Sequence, residues 1–76
     1  MVRRVQLETA FSRLLLENIR RDMYPSVTQM NLLEESIPPS LVGEYLTVLL
    51  EKLAADSIPS VPMLQRVKRI AQTLPN

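Results

Sequence analysis

Residues 7–27, LETAFSRLLLENIRRDMYPSV, and residues 41–61, LVGEYLTVLLEKLAADSIPSV, decide the fold between them. Laid over each other at an offset of 34 residues, Leu7 meets Leu41, Leu15 meets Leu49, Leu16 meets Leu50 and Glu17 meets Glu51. Asp22 meets Asp56, and the turn Pro25, Ser26, Val27 meets Pro59, Ser60, Val61. Eight identities over the 31 aligned positions 7–37 compare with about two expected from ordinary residue usage. The chain reads as an internal repeat, with repeat 1 at about 3–37 and repeat 2 at about 40–74.

Each copy predicts a helix, a turn and a second helix. Leu7, Phe11, Leu14, Leu15 and Ile19 follow the spacing of one helical face, and Leu41, Tyr45, Val48, Leu49 and Leu53 follow it again. Proline disfavours the helical conformation in the residue before it, so the first helix of each copy must stop before Tyr24 or Ile58. Ser26 and Ser60 then stand where a hydroxyl accepts from an orphan backbone N–H of the next helix. Gln29, three residues after Ser26, completes a capping-box pattern that Met63 after Ser60 does not. Pro62 falls in a first turn, where its missing N–H costs nothing. The second helices are expected to bury Val27, Met30, Leu33 and Ile37, and in the copy Val61, Leu64, Val67, Ala71 and Leu74. Pro38 and Pro39 break the chain between copies, with Ser40 as the expected cap of the third helix.

Four short helices follow, near 3–21, 26–36, 40–55 and 60–73. The expected fold is all-α, a single helical domain over 1–76 built as two pseudo-symmetric αα-hairpins. The period matches that of tetratricopeptide repeats, but the Trp, Gly and Tyr of that motif are missing, and a solenoid needs at least three copies. An intertwined dimer exchanging hairpins is the structural rival.

Composition narrows the chemistry. Seventy-six residues make one small domain, which buries only roughly 60% of its unfolded surface. With no Cys and no His, disulfides, thiolate or imidazole metal sites and Cys/His nucleophiles are excluded, and one Gly leaves no phosphate-cradling loop. No apolar run approaches a membrane span and no signal-peptide pattern is present, so no membrane role and a cytoplasmic location, or one within a phage or multiprotein particle, are expected. The carboxylates do not suggest catalysis. Glu34 and Glu35 are adjacent and diverge by about 100° on a helix. Glu17 and Glu51 read as solvated, and Asp22 and Asp56 as turn residues bonded to backbone. Tyr24 and Tyr45 read as core or rim packing. Neither enzyme activity nor a cofactor or metal is expected.

The net charge of +1 hides a division. Over residues 1–21, five arginines against Glu8 and Glu17 give +3; over 22–56, Lys52 against six carboxylates gives −5; over 57–76, Arg66, Lys68 and Arg69 give +3. Gln65, Arg66, Lys68, Arg69 and Gln72 make the fourth helix a candidate face for nucleic acid or an acidic partner, since Gln and Arg suit base edges. Leu16, Leu32 and Leu50 lie off the main apolar faces. They belong either to wide core faces or to an exposed patch, and a patch marks a protein interface. A protein partner or a second copy is therefore the first expectation, with a helix-turn-helix-like nucleic-acid regulator as the alternative. Pro25, Ser26, Pro59 and Ser60 are read as structural turns and caps.

The paired turns at Tyr24–Val27 and Ile58–Val61 resemble those of small uncharacterised helical proteins of actinobacteria and their phages. The preference for Arg over Lys, seven to two, suits a GC-rich genome. That resemblance implies no activity and no site residues.

Overall fold

A computed structural model describes residues 3–56 and 60–74, and these form four helices with no strand among them. The helices are α1 (Arg4–Arg21), α2 (Val27–Ser36), α3 (Pro39–Ala55) and α4 (Val61–Ala71). The chain divides into two compact units with a boundary between Leu41 and Val42, inside the first turn of α3. Each unit is centred on a helical hairpin, α1 with α2 in the first and α3 with α4 in the second.

In the first unit, Gln6 Oε1 accepts from the Arg3 N–H at 3.0 Å and so ties down the chain entering α1. Arg20 and Arg21 occupy the last turn, where positive charge complements the helix dipole. The Asp22 N–H donates to the Asn18 carbonyl at 3.1 Å and closes the helix before Tyr24, as the proline requires. Ser26 then caps α2, its Oγ accepting from the Gln29 N–H at 3.0 Å. The reciprocal half of the expected capping box is not made: Gln29 Oε1 is buried without a hydrogen-bond partner. Such an atom forfeits its bonds to water without replacing them.

The core of this unit corrects the sequence reading of α1. Its buried residues are Ser12, Leu16 and Ile19, packed in the hairpin with Met30 and Leu33 of α2. The expected face of Leu7, Phe11 and Leu14 is exposed, and Leu15 is half-buried. The buried arc is rotated from the expected one by roughly one residue's step of 100°. The physical reason lies at Ser12. A small side chain there allows α1 and α2 to approach, and its hydroxyl donates to the Ser36 carbonyl at the C-terminus of α2, at a long 3.5 Å. A helix end leaves such carbonyls without intrahelical partners. Val27, expected in the core, is exposed at the start of α2, and Ile37 is half-buried.

Ile37 is extended, with φ −63° and ψ 126°, as a residue before proline should be. The next helix begins at Pro39 rather than Ser40, so Ser40 lies inside the first turn and is not the N-cap expected of it. Proline's fixed φ and missing N–H suit the first helical position.

In the second unit, α3 carries the heavy apolar load. Val42, Tyr45, Leu46, Val48, Leu49 and Leu53 are all buried, together with Leu41 at the boundary, so the face expected from the spacing is present and wider than expected. Ser60 caps α4, its Oγ accepting from the Met63 N–H at 3.4 Å, and Pro62 sits in the first turn. No residue of α4 is fully buried. Met63, Val67 and Ile70 are half-buried, whereas Val61, Leu64, Ala71 and Leu74, expected in the core, are exposed. At its end the Gln72 N–H reaches the Lys68 carbonyl at 3.2 Å, and Thr73 Oγ1 donates to the Ile70 carbonyl at 2.6 Å.

Candidate functional site

Of the three leucines that lay off the expected faces, Leu16 is fully buried at the centre of α1's packed face. It is a core residue and not part of an interface. Leu32 on α2 and Leu50 on α3 are exposed. Leu50 is the sequence counterpart of Leu16, so the one leucine that was matched to it by the repeat has the opposite environment.

A larger exposed surface lies on the face that the spacing assigned to the core. Leu7, Phe11 and Leu14 are 58%, 43% and 64% exposed. At i, i+4 and i+7 they line one stripe of α1, about 140° around the helix from the buried Ser12–Leu16–Ile19 face at 100° per residue. Leu15 bridges the two, so α1 is apolar on two arcs. A signal for this existed in the sequence: the run Leu14, Leu15, Leu16 spans about 200° of a helix, more than one partner helix covers. Further exposed apolar side chains cluster along the turn at Met23, Tyr24 and Val27. Tyr24, expected as packing, is exposed.

Charged groups edge the α1 stripe. Arg4 Nε lies 2.9 Å from Glu8 Oε1, and Glu17 Oε1 lies 3.5 Å from Arg20 Nε. Both pairs are solvent-accessible, which limits each to well under about 1 kcal/mol. Of Glu17 and Glu51, both read as solvated, Glu17 is half-buried and Glu51 exposed, and they belong to separate units. Glu34 and Glu35 border an open depression on α2 together with Asn31. It is a shallow polar surface and lacks the enclosed apolar walls of a small-molecule pocket.

On α4, Gln65, Lys68, Arg69 and Gln72 are exposed and fall within about 100° of one another around the helix. Arg66 is half-buried at the edge of that face. The expected basic face therefore exists as a surface, opposite the half-buried stripe of Met63, Val67 and Ile70. Ser26 and Ser60 are caps as expected, and Pro25 is half-buried in the α1–α2 turn. Pro59 lies outside the described residues.

Among the described residues no group of three or more carboxylates is placed to hold a metal ion. No helix among them is long and apolar enough to cross a membrane. No family model matches this chain, and neither does any curated protein or solved structure.

Proposed function

We propose that this chain is a non-catalytic protein-interaction module, working as a subunit of an oligomer or a larger complex. The observation that carries the reading is the stripe of Leu7, Phe11 and Leu14, exposed on a helix whose opposite side already supplies the hairpin core. A contiguous apolar patch costs solubility and contributes nothing to the fold, so its usual meaning is a partner surface. The absence of His and Cys from the sequence supports the same reading by removing the commonest acid–base and nucleophilic groups.

The test is the size of the particle containing the chain in native cell extract, compared between wild type and a Leu7→Ser/Phe11→Ser/Leu14→Ser variant. The wild type should elute well above the 8.7 kDa of one chain, and the variant should shift toward it. Wild-type chain eluting as a free 8.7 kDa species would contradict the proposal.

A second reading is a small nucleic-acid-binding regulator using α4, supported by the exposed Gln65, Lys68, Arg69 and Gln72 on one face. It predicts salt-sensitive binding to a duplex or single strand that is lost in Arg66→Ala/Lys68→Ala/Arg69→Ala. No binding at about 50 mM salt, where phosphate contacts are strong, would remove it.

A further inference from the structure

We infer that the partner for the α1 stripe is a second copy of the same stripe, paired antiparallel, so that two α1 helices form the seam of a homodimer. The inference rests on the interaction-module reading above and specifies its partner.

The residues that flank the stripe point to this pairing. Leu7 and Leu14 are seven apart and Phe11 lies between them, the alternating four-and-three spacing of a helix–helix seam. One flank of that seam carries Arg3, Ala10 and Glu17, again seven apart. This flank is self-complementary under an antiparallel two-fold. With Leu7 packed against the partner's Phe11, Ala10 meets Ala10 at the axis, where two methyl groups permit close approach. Arg3 then meets the partner's Glu17 at one end, and Glu17 meets the partner's Arg3 at the other, each Glu17 being shared with its own Arg20 at 3.5 Å. The two charges lie 14 residues apart, about 21 Å at 1.5 Å per residue, so both pairs form in a single register.

Other arrangements are charge-frustrated. Sliding the antiparallel pair by one heptad sets Arg4 against Arg21 at both ends. Turning it parallel sets Arg4 against Arg4 and brings Glu17 beside Asp22, which offsets the Arg3–Glu8 pairs that the same register would form. Like charges held in this way are penalised and select the register. In the favoured register Glu8 approaches its own copy across the axis, but each Glu8 already carries Arg4 at 2.9 Å, so the net charge brought together is small. The apolar part of the seam is modest, on the order of 300 Å² per copy, the scale of a single functional patch. This is below the roughly 800 Å² per partner of a standard interface. The dimer should accordingly be weak and concentration-dependent.

Sedimentation velocity of the purified full chain, from about 10 μM to about 1 mM to cover weak association, tests this, with helicity checked by circular dichroism. Charge reversals read the register. Arg3→Glu and Glu17→Arg each place like charges together at both ends, and each should weaken dimerisation about tenfold, within the range of charge-pair couplings at interfaces. The double variant Arg3→Glu/Glu17→Arg re-forms both pairs with the signs exchanged and should return to near wild-type affinity. Arg3→Glu suits the dipole of α1, whereas Glu17→Arg removes the pair with Arg20 and adds positive charge beside Arg13, Arg20 and Arg21, so the helicity of each variant separates weakened association from a weakened helix. Phe11→Glu, at an exposed position, should leave a folded monomer.

A wild-type chain that remains monomeric to 1 mM overturns the self-pairing, while a large particle in native extract would still uphold the interaction-module reading. A dimer indifferent to Phe11→Glu, or a double reversal no better than either single one, also overturns it by placing the seam elsewhere.

Discussion

α1 and α3 carry the same apolar spacing 34 residues apart and use it differently. Leu7, Phe11 and Leu14 of α1 are exposed, while Leu41, Tyr45 and Val48 at the equivalent positions are buried. The reverse holds at one position, where Leu16 is buried and Leu50 exposed. α3 is packed over a wide arc that includes the whole shared pattern, whereas α1 is packed only on the side of Ser12, Leu16 and Ile19. Equal spacing therefore identifies a helix and its apolar residues. Which arc becomes core depends on what the neighbouring helix can approach. At Ser12 a small side chain admits α2 closely; its counterpart in α3 is Leu46, itself a core side chain.

The sharpest way to break this contrast is truncation at the aromatic pair. Tyr45→Ala removes a fully buried ring and should cost about 3–5 kcal/mol, enough to unfold a chain of this size. Phe11→Ala, measured in dilute protein by denaturant unfolding, should cost less than about 1 kcal/mol, as expected for a partly exposed site. Comparable losses at the two positions would mean that the α1 stripe is packed after all. The leucine pair comes next and is chemically identical. Leu16→Ala should destabilise by about 2–5 kcal/mol, and Leu50→Ala, 53% exposed, by less than about 1 kcal/mol. Thermal melts of the two single variants give the ranking directly, and inverted values would contradict the burial of Leu16 and the exposure of Leu50.

The caps offer a smaller contrast. Ser26 Oγ accepts at 3.0 Å and Ser60 Oγ at 3.4 Å. Ser26→Ala should cost about 1 kcal/mol and Ser60→Ala less, since the longer bond has less to lose. Equal losses in melting temperature would show that the two caps are equivalent. The smallest effect is a gain. Gly43 lies exposed within α3, without a left-handed backbone, and an added Cβ would meet nothing within 4 Å. Gly43→Ala should stabilise by roughly 0.5–1 kcal/mol through helix propensity and reduced unfolded-state entropy. A loss at that site would show that the glycine serves a contact absent from the free chain.

Local chemistry was legible in the sequence and the phase of α1 was not. Proline and serine act on their immediate neighbours, so the end of α1 before Tyr24, the caps at Ser26 and Ser60 and the break after Ile37 could be read residue by residue. The start of α3 at Pro39 rather than Ser40 is a one-residue shift of the same signal. The burial of α1 depends on a non-local fit. Three consecutive leucines, Leu14 to Leu16, leave its apolar direction ambiguous, and the residue that resolves it, Ser12, is polar and reads as surface. For the same reason Leu16 reads as lying off the main face, in a wide core face or an exposed patch, while the exposed stripe of Leu7, Phe11 and Leu14 reads as core. The basic face of α4 was legible because Gln65, Lys68, Arg69 and Gln72 share one side of the helix, but its apolar face was not: Val61, Leu64, Ala71 and Leu74 are exposed, and Met63 and Ile70 join Val67 in the half-buried places.

The central claim is that the α1 stripe is free in the isolated chain and covered on association. Paramagnetic broadening of methyl resonances by a soluble relaxation agent measures this most directly, recorded for Leu7 and Leu14 against Leu41, Val48 and Leu49 in dilute and in concentrated protein. The account predicts strong broadening of Leu7 and Leu14 in dilute solution, near-complete protection of the three α3 residues throughout, and growing protection of Leu7 and Leu14 as concentration rises. Leu7 and Leu14 methyls as protected as Val48 in dilute protein would contradict it.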